Sequence, residues 1–274
     1  MKIVHEASVP WGGSLPHRGS GVLFKDLLVG DDGPENYLLA LVKIDDSYQT
    51  PRHRHNFDQV RVMLEGGFGF GDQVQDEGSI GYFGEGTAYE QKSIGPNVHL
   101  LLQCANASRA AYFGRDTLRR GNQELQRVGR FENGVFSHRD ADGRLHNKDG
   151  FEAVWEHLAG EPVRYQPPRY ERPVIFYPDR FAAVPVRGAP GVTQRHFGSF
   201  SERCLALAEI GVVAGATAQL GTADQRSLYY ALAGTAEIAG TAVVAGAALG
   251  LAAGETASAA ATDDLRLLEF RLPR

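Results

Sequence analysis

The sequence predicts an all-β chain made of two strand-rich blocks joined by a partly helical linker. Three observations predict it. Short apolar and β-branched runs alternate with Gly, Asp and Pro clusters, and the 33 glycines are spread along all 274 residues. That punctuation belongs to many short strands joined by tight turns. Only one stretch, residues 148–159, has helical periodicity. The frame of the first block then recurs in the last third of the chain.

The first block covers residues 1–114, with strands expected at 21–27, 37–44, 58–64, 67–70, 87–92 and 98–103. Residues 37–44 (YLLALVKI) are almost continuously apolar, as in a strand covered on both faces. Residues 115–190 are more polar and read as a linker. Within it, Phe151, Val154, Trp155 and Leu158 fall at i, i+3, i+4 and i+7, with Asp149 as N-cap and Gly160 at the stop. A proline-rich passage, EPVRYQPPRYERPVIFYP, then extends the backbone. Strand-like runs return in the third block, residues 191–274, at 193–200, 205–213, 228–233, 236–238, 242–245 and 265–272.

The formal net charge of −5 gives no basic footprint for nucleic acid. The N-terminus lacks the apolar core of a signal peptide, and the Ala/Gly-rich stretch 242–254 is too short to span a bilayer. Cys104 and Cys204 each sit in an apolar context and read as reduced, buried thiols. The expected address is cytoplasmic, with neither nucleic acid nor membrane as partner.

The chemistry concentrates in residues 50–66, TPRHRHNFDQVRVMLEG. On a strand, His53 and His55 point to the same face, and Gln59 and Arg61 share that parity. Two such imidazoles can converge on one divalent ion at about 2.0–2.2 Å. Gly66 closes the strand at a turn.

Here the chain resembles the cupin superfamily, whose first motif is His-x-His, three residues, Glu, six residues, Gly. His53, His55, Gln59 and Gly66 reproduce that spacing. The second motif is Gly, five residues, Pro-x-Gly, two residues, His. Gly78 to Tyr89 keeps its frame, with Gly84 at the proline position and Tyr89 at the histidine position. The resemblance implies two double-stranded β-helix barrels of jelly-roll type. It also implies a metal site of His53, His55, Gln59 and Tyr89 for Fe, Mn, Ni or Zn, although Gln59 and Tyr89 replace the family's Glu and third His. A tyrosine ligand must also lose a proton whose usual pKa is about 10. Gln91 shares Tyr89's face, and His99 lies on the next strand.

Setting Gly234 against Gly66 places Gly221, Ala223 and Ser227 where the first block has His53, His55 and Gln59. Ala257 falls at the position of Tyr89, so the second barrel keeps the frame and loses the ligands. Its expected role is structural.

The leading functional expectation is a metal-dependent small-molecule enzyme, dioxygenase-like, with Tyr89 and Arg61 as catalytic candidates. A buried Arg61 is costly unless paired and so favours an anionic substrate; the opposing reading is a strand-end Arg reaching solvent. Two alternatives stand beside the enzyme: a non-catalytic small-molecule-binding cupin, and a metal-free isomerase using a His–Tyr acid–base pair. By analogy the chain is expected to form a homodimer. His138, His146, His157 and His196 are singly placed and read as surface or satisfied histidines.

Overall fold

The computed structural model describes residues 1–18 and 20–274. The chain divides into two compact units, residues 11–176 and residues 1–10 with 177–274. The expected linker therefore belongs mostly to the first unit, and the N-terminal ten residues belong to the second.

In the first unit a seven-stranded sheet runs in the order Val174–Phe176, Ile80–Phe83, Asp58–Glu65, Asn97–Cys104, Tyr37–Ile44, Val22–Val29, Gly12–Gly13. A four-stranded sheet runs in the order Gln49–His53, Tyr89–Ser93, Gly67–Phe70, Gln73–Asp76. Every pairing is antiparallel. Phe24, Val42, Met63, Phe68, Phe70, Phe83 and Leu101 fill the core. In Tyr37–Ile44 only Lys43 is exposed, because side chains on both strand faces are covered.

The second unit repeats this plan. Lys2–His5, Ala247–Leu251, Ser227–Ala233, Leu265–Arg271, Ala206–Val212, Val192–Ser199 and Val184–Pro185 form one sheet, in that order. Thr217–Leu220, Ala257–Ala261, Thr235–Ile238 and Thr241–Val244 form the other. The repeat extends to single residues. Gly66 and Gly234 have φ of 73° and 82°, and an added Cβ would lie 2.5 Å from Pro96 O and 2.1 Å from Asp264 O. Only glycine tolerates that approach at positive φ. The core of this unit is mostly small and aliphatic, with Val212, Ala218, Leu220, Ala231, Leu249 and Leu267.

Residues 115–176 hold more structure than one helix. Helix α1 (Arg115–Leu125) precedes a three-stranded meander of Gly129–Glu132, Val135–Arg139 and Leu145–Asp149, and α2 (Gly150–Ala159) follows. Asp149 caps α2 by accepting from Glu152 N, and Gly160 ends it at φ 71°. Helix α1 escaped the periodicity reading because its buried face is Leu118, Gly121, Asn122 and Leu125, only half of it hydrophobic. Gly121 is needed there: a Cβ would lie 2.9 Å from Leu158 of α2. Among the described residues no helix is long and apolar enough to cross a membrane. Both cysteines are free; Cys104 is buried and Cys204 partly so.

Candidate small-molecule site

The expectation placed His53, His55 and Gln59 on one strand. Instead, the strand Gln49–His53 ends at His53, His55 lies in the connection, and Gln59 and Arg61 stand on Asp58–Glu65. The chain bends between them, so the convergence comes from tertiary folding. The His53 and His55 ring centroids are 4.9 Å apart, and His53 lies 4.9 Å from the Tyr89 ring. Tyr89 is the cross-strand partner of His53. A β-bulge between Tyr89 and Gln91 shifts the register beside them.

At the centre is Arg61, buried and inward-facing. Phe83, Phe70, Phe68 and Tyr89 surround its guanidinium, with Cζ 4.8–5.9 Å from their ring centroids. Such rings stabilise a cation without neutralising it. Arg61 Nη1 donates to Gln91 Oε1 at 3.0 Å and Nη2 to Gln59 Oε1 at 3.3 Å. Among the described residues no carboxylate pairs with it, and its Nε–H has no acceptor. Burial pulls its pKa down from the usual value.

This guanidinium orients both amides. With its oxygen on Arg61, Gln91 turns its NH2 to His53 Nε2 at 2.9 Å. His53 Nε2 must then be the acceptor, and its Nδ1–H donates to Pro51 O at 2.8 Å. Gln59 likewise accepts from Arg61 and from Gln103 Nε2, and its own NH2 donates to the Tyr89 hydroxyl. The Tyr89 O–H proton is thus left without an acceptor among the described residues.

Burial is the main cause pulling His53 down to about 4, against the raising effect of its Pro51 bond; Arg61 and Arg18 add to the fall. Burial also holds His55 well below the usual histidine range, with His53 and the arginines adding to it. Both imidazoles are neutral at pH 7. Burial raises Tyr89 above the ordinary phenol value, partly offset by Arg61 and by the Gln59 bond.

These groups border a cavity of about 60 Å³ lined also by His17, Arg18, Tyr48, Thr50, Pro51, Gly134, Asp149 and Phe151. Gly134, Asp149 and Phe151 come from the 115–176 insertion, so the meander and α2 wall the barrel mouth. Phe151 packs on His55 and Phe57, at 4.9 and 5.2 Å. His17, Arg18 and Gln103 carried no motif, and only folding brings them here. His99 lies elsewhere in the barrel, its Nδ1 on Asn97 Oδ1 at 3.2 Å and its ring stacked on Phe68.

As a four-donor metal centre the set does not fit. The Gln59 carbonyl is taken by Arg61 and Gln103, and the Tyr89 phenol is held in its neutral form by burial. A buried guanidinium sits where a second cation would be repelled, and among the described residues no carboxylate is paired with it. Among the described residues no three His, Cys, Asp or Glu side chains gather as a ligand group.

No protein-family model matches the sequence, and no curated protein matches it. Solved structures do match. Oxalate decarboxylase from Bacillus subtilis aligns over 99% of this chain and 76% of its own, with TM-score 0.59 and 13% identity. A proposed dioxygenase from Nostoc punctiforme aligns over 99% and 82%, with TM-score 0.63 and 10% identity. The protein GK1651 from Geobacillus kaustophilus aligns over 99% and 95%, with TM-score 0.54 and 13% identity. The fold is that of the cupins. At these identities the likeness concerns the fold, and cupin barrels host unrelated chemistries. The Bacillus subtilis enzyme has Mn(II) centres.

Proposed function

We propose that the N-terminal barrel acts on a small molecule through neutral acid–base chemistry, with His53 as base and Tyr89 as acid. The observation that carries this reading is the pair of amides held by Arg61. Through Gln91 it presents His53 Nε2 as a lone pair, and through Gln59 it leaves the Tyr89 O–H free to donate. A ligand C–H beside a carbonyl would displace the Gln91 amide and pass its proton to Nε2. The Tyr89 O–H would hydrogen-bond to the carbonyl oxygen as charge develops there. Reprotonation of that carbon on its opposite face gives epimerisation; in an α-hydroxy carbonyl ligand, protonation of the former carbonyl carbon, with the hydroxyl proton passing to the other oxygen, gives isomerisation, and neither changes the net redox state.

The second reading is a metal-dependent, dioxygenase-like enzyme using Fe, Mn, Ni or Zn. One observation favours it. The His53 Nδ1–H bond to a backbone carbonyl is the arrangement that leaves Nε2 for a metal, and His55 stands beside it. In either reading the second barrel is structural and a homodimer is the expected assembly, which sedimentation measures.

Metal analysis and solvent-deuterium exchange together separate the readings. The acid–base reading expects chelator-treated protein to exchange label into small carbonyl compounds, neutral or anionic. His53→Ala and Tyr89→Phe should each lose at least a hundredfold of that rate. Near-stoichiometric metal that vanishes in the His53→Ala/His55→Ala double variant, with turnover only in loaded protein, would establish the metal reading instead.

A further inference from the structure

The cavity is unusual in the balance of its hydrogen-bonding groups, and the first sign is His17. Asn122 of α1 accepts from His17 N at 3.1 Å through Oδ1, so its NH2 faces the ring and donates to His17 Nδ1 at 2.8 Å. With Nδ1 an acceptor, the imidazole proton must sit on Nε2. That Nε2–H is buried, has no acceptor, and belongs to a side chain only 4% exposed that lines the cavity.

Arg18 follows directly and lines the same space. It spends one bond on Gln103 Oε1 at 3.2 Å and pairs with no carboxylate among the described residues. Arg61 has five N–H donors; two of them are used on Gln91 and Gln59, which leaves three. The one carboxylate in the lining, Asp149, is committed to the N-terminus of α2 through Glu152 N. The small space therefore holds the buried Arg61 guanidinium and His17 N–H beside the half-buried Arg18, in donor excess, with Asp149 as the one carboxylate among the described lining residues. Buried donors and cations are normally satisfied, so such an excess marks the place of a missing acceptor.

We infer that this cavity binds a small carboxylate, held by Arg61, Arg18 and the His17 Nε2–H. A carboxylate accepts from guanidinium pairs through two oxygens. Tyr48, Pro51 and Phe151 offer apolar surface to its carbon end. The volume sets the size. A water needs about 10–15 Å³ of such space, so about 60 Å³ holds four to six water-sized groups. That corresponds to an acid of two to four carbons. The inference rests on the reading that this cavity is the functional site, and adds the ligand class to it.

The test is titration calorimetry with acetate, propionate and glycolate, against acetamide and propionamide as uncharged isosteres and sulfate as an inorganic anion. The carboxylates should bind at least tenfold more tightly than the amides and than sulfate. Arg61→Gln can fail to fold, so the variants are Arg18→Gln and Gln59→Glu, with circular dichroism as the folding check. The second places an internal carboxylate on Arg61 without changing shape. Each should weaken acetate binding at least tenfold. Amides or sulfate binding as tightly as acetate would overturn the assignment, and so would folded variants with unchanged affinity. Carboxylate binding without any deuterium exchange would retain this inference and remove the acid–base reading. Exchange confined to neutral carbonyl compounds, without carboxylate binding, would do the reverse.

Discussion

Arg61 controls the site at the scale of single residues, because one guanidinium orients Gln59 and Gln91 and so decides which atoms of Tyr89 and His53 remain available. Two substitutions should move stability differently. Tyr89→Phe leaves the Gln59 NH2 buried without its acceptor, which costs about 1–3 kcal/mol. Gln59→Glu keeps the bonds from Arg61 and Gln103, lets the Tyr89 O–H donate, and supplies the countercharge that Arg61 lacks. It should be neutral or stabilising in urea unfolding; a loss above about 2 kcal/mol would show that Arg61 is already compensated.

At the scale of elements, the insertion closes the barrel mouth and α2 holds it there. Phe151 sits in the first turn of α2, just past the Asp149 cap, and touches His55. Asp149→Ala should cost about 1 kcal/mol by removing that cap. The loss should be local: hydrogen exchange should quicken across α2 while the strand Asn97–Cys104 keeps its protection. Uniform loosening of both would mean that α2 is not a separable cover. The strand Lys2–His5 makes a comparable point in the second unit, where it pairs with Ala247–Leu251 in the register Lys2↔Gly250 to His5↔Ala247. Removing residues 1–5 should open that edge and raise exchange in Ala247–Leu251 first.

For the whole molecule, pH dependence follows from its buried histidines. Burial lowers His17 to about 3 and His53 to about 4, and holds His55 and His99 well below the usual range. Unfolded, all four titrate near 6.5. Around pH 5 these imidazoles are therefore more protonated in the unfolded chain than in the folded one. Asp58 works the other way: burial raises it to about 6 against the bonds from Asn106 and Glu85 N, so the folded chain holds one extra proton. The lowered imidazoles outnumber Asp58, so stability should fall by at least about 1 kcal/mol for each pH unit lost near pH 5. The contribution is fully present above about pH 7 and is lost as pH drops below 6.5. Flat stability between pH 7 and 5 in urea titrations would mean that these imidazoles are protonated in the folded protein.

The local code of this sequence determined the all-β character, the glycine turns at Gly66 and Gly234, the α2 cap at Asp149 and the repeat of one barrel frame in the other, but not the short strands Gln49–His53, Ile80–Phe83 and Ala257–Ala261. Each depends on residues close together in the chain, where alternation, positive φ and side-chain capping act directly. The shared parity of Gln59 and Arg61 was legible for the same reason, while the choice between a buried and a solvent-reaching Arg61 was not. Tertiary structure alone decided what surrounds Arg61. His17, Arg18 and Gln103 have no motif, and the aromatic walls come from three different strands. It also decided α1, whose buried face uses Gly121 for close approach to Leu158 and Asn122 to hold His17, so that only Leu118 and Leu125 mark that face as apolar. It turned Gln59 and Tyr89 toward each other, because hydrogen-bond satisfaction in a buried site is settled by every partner at once and not by spacing along the chain.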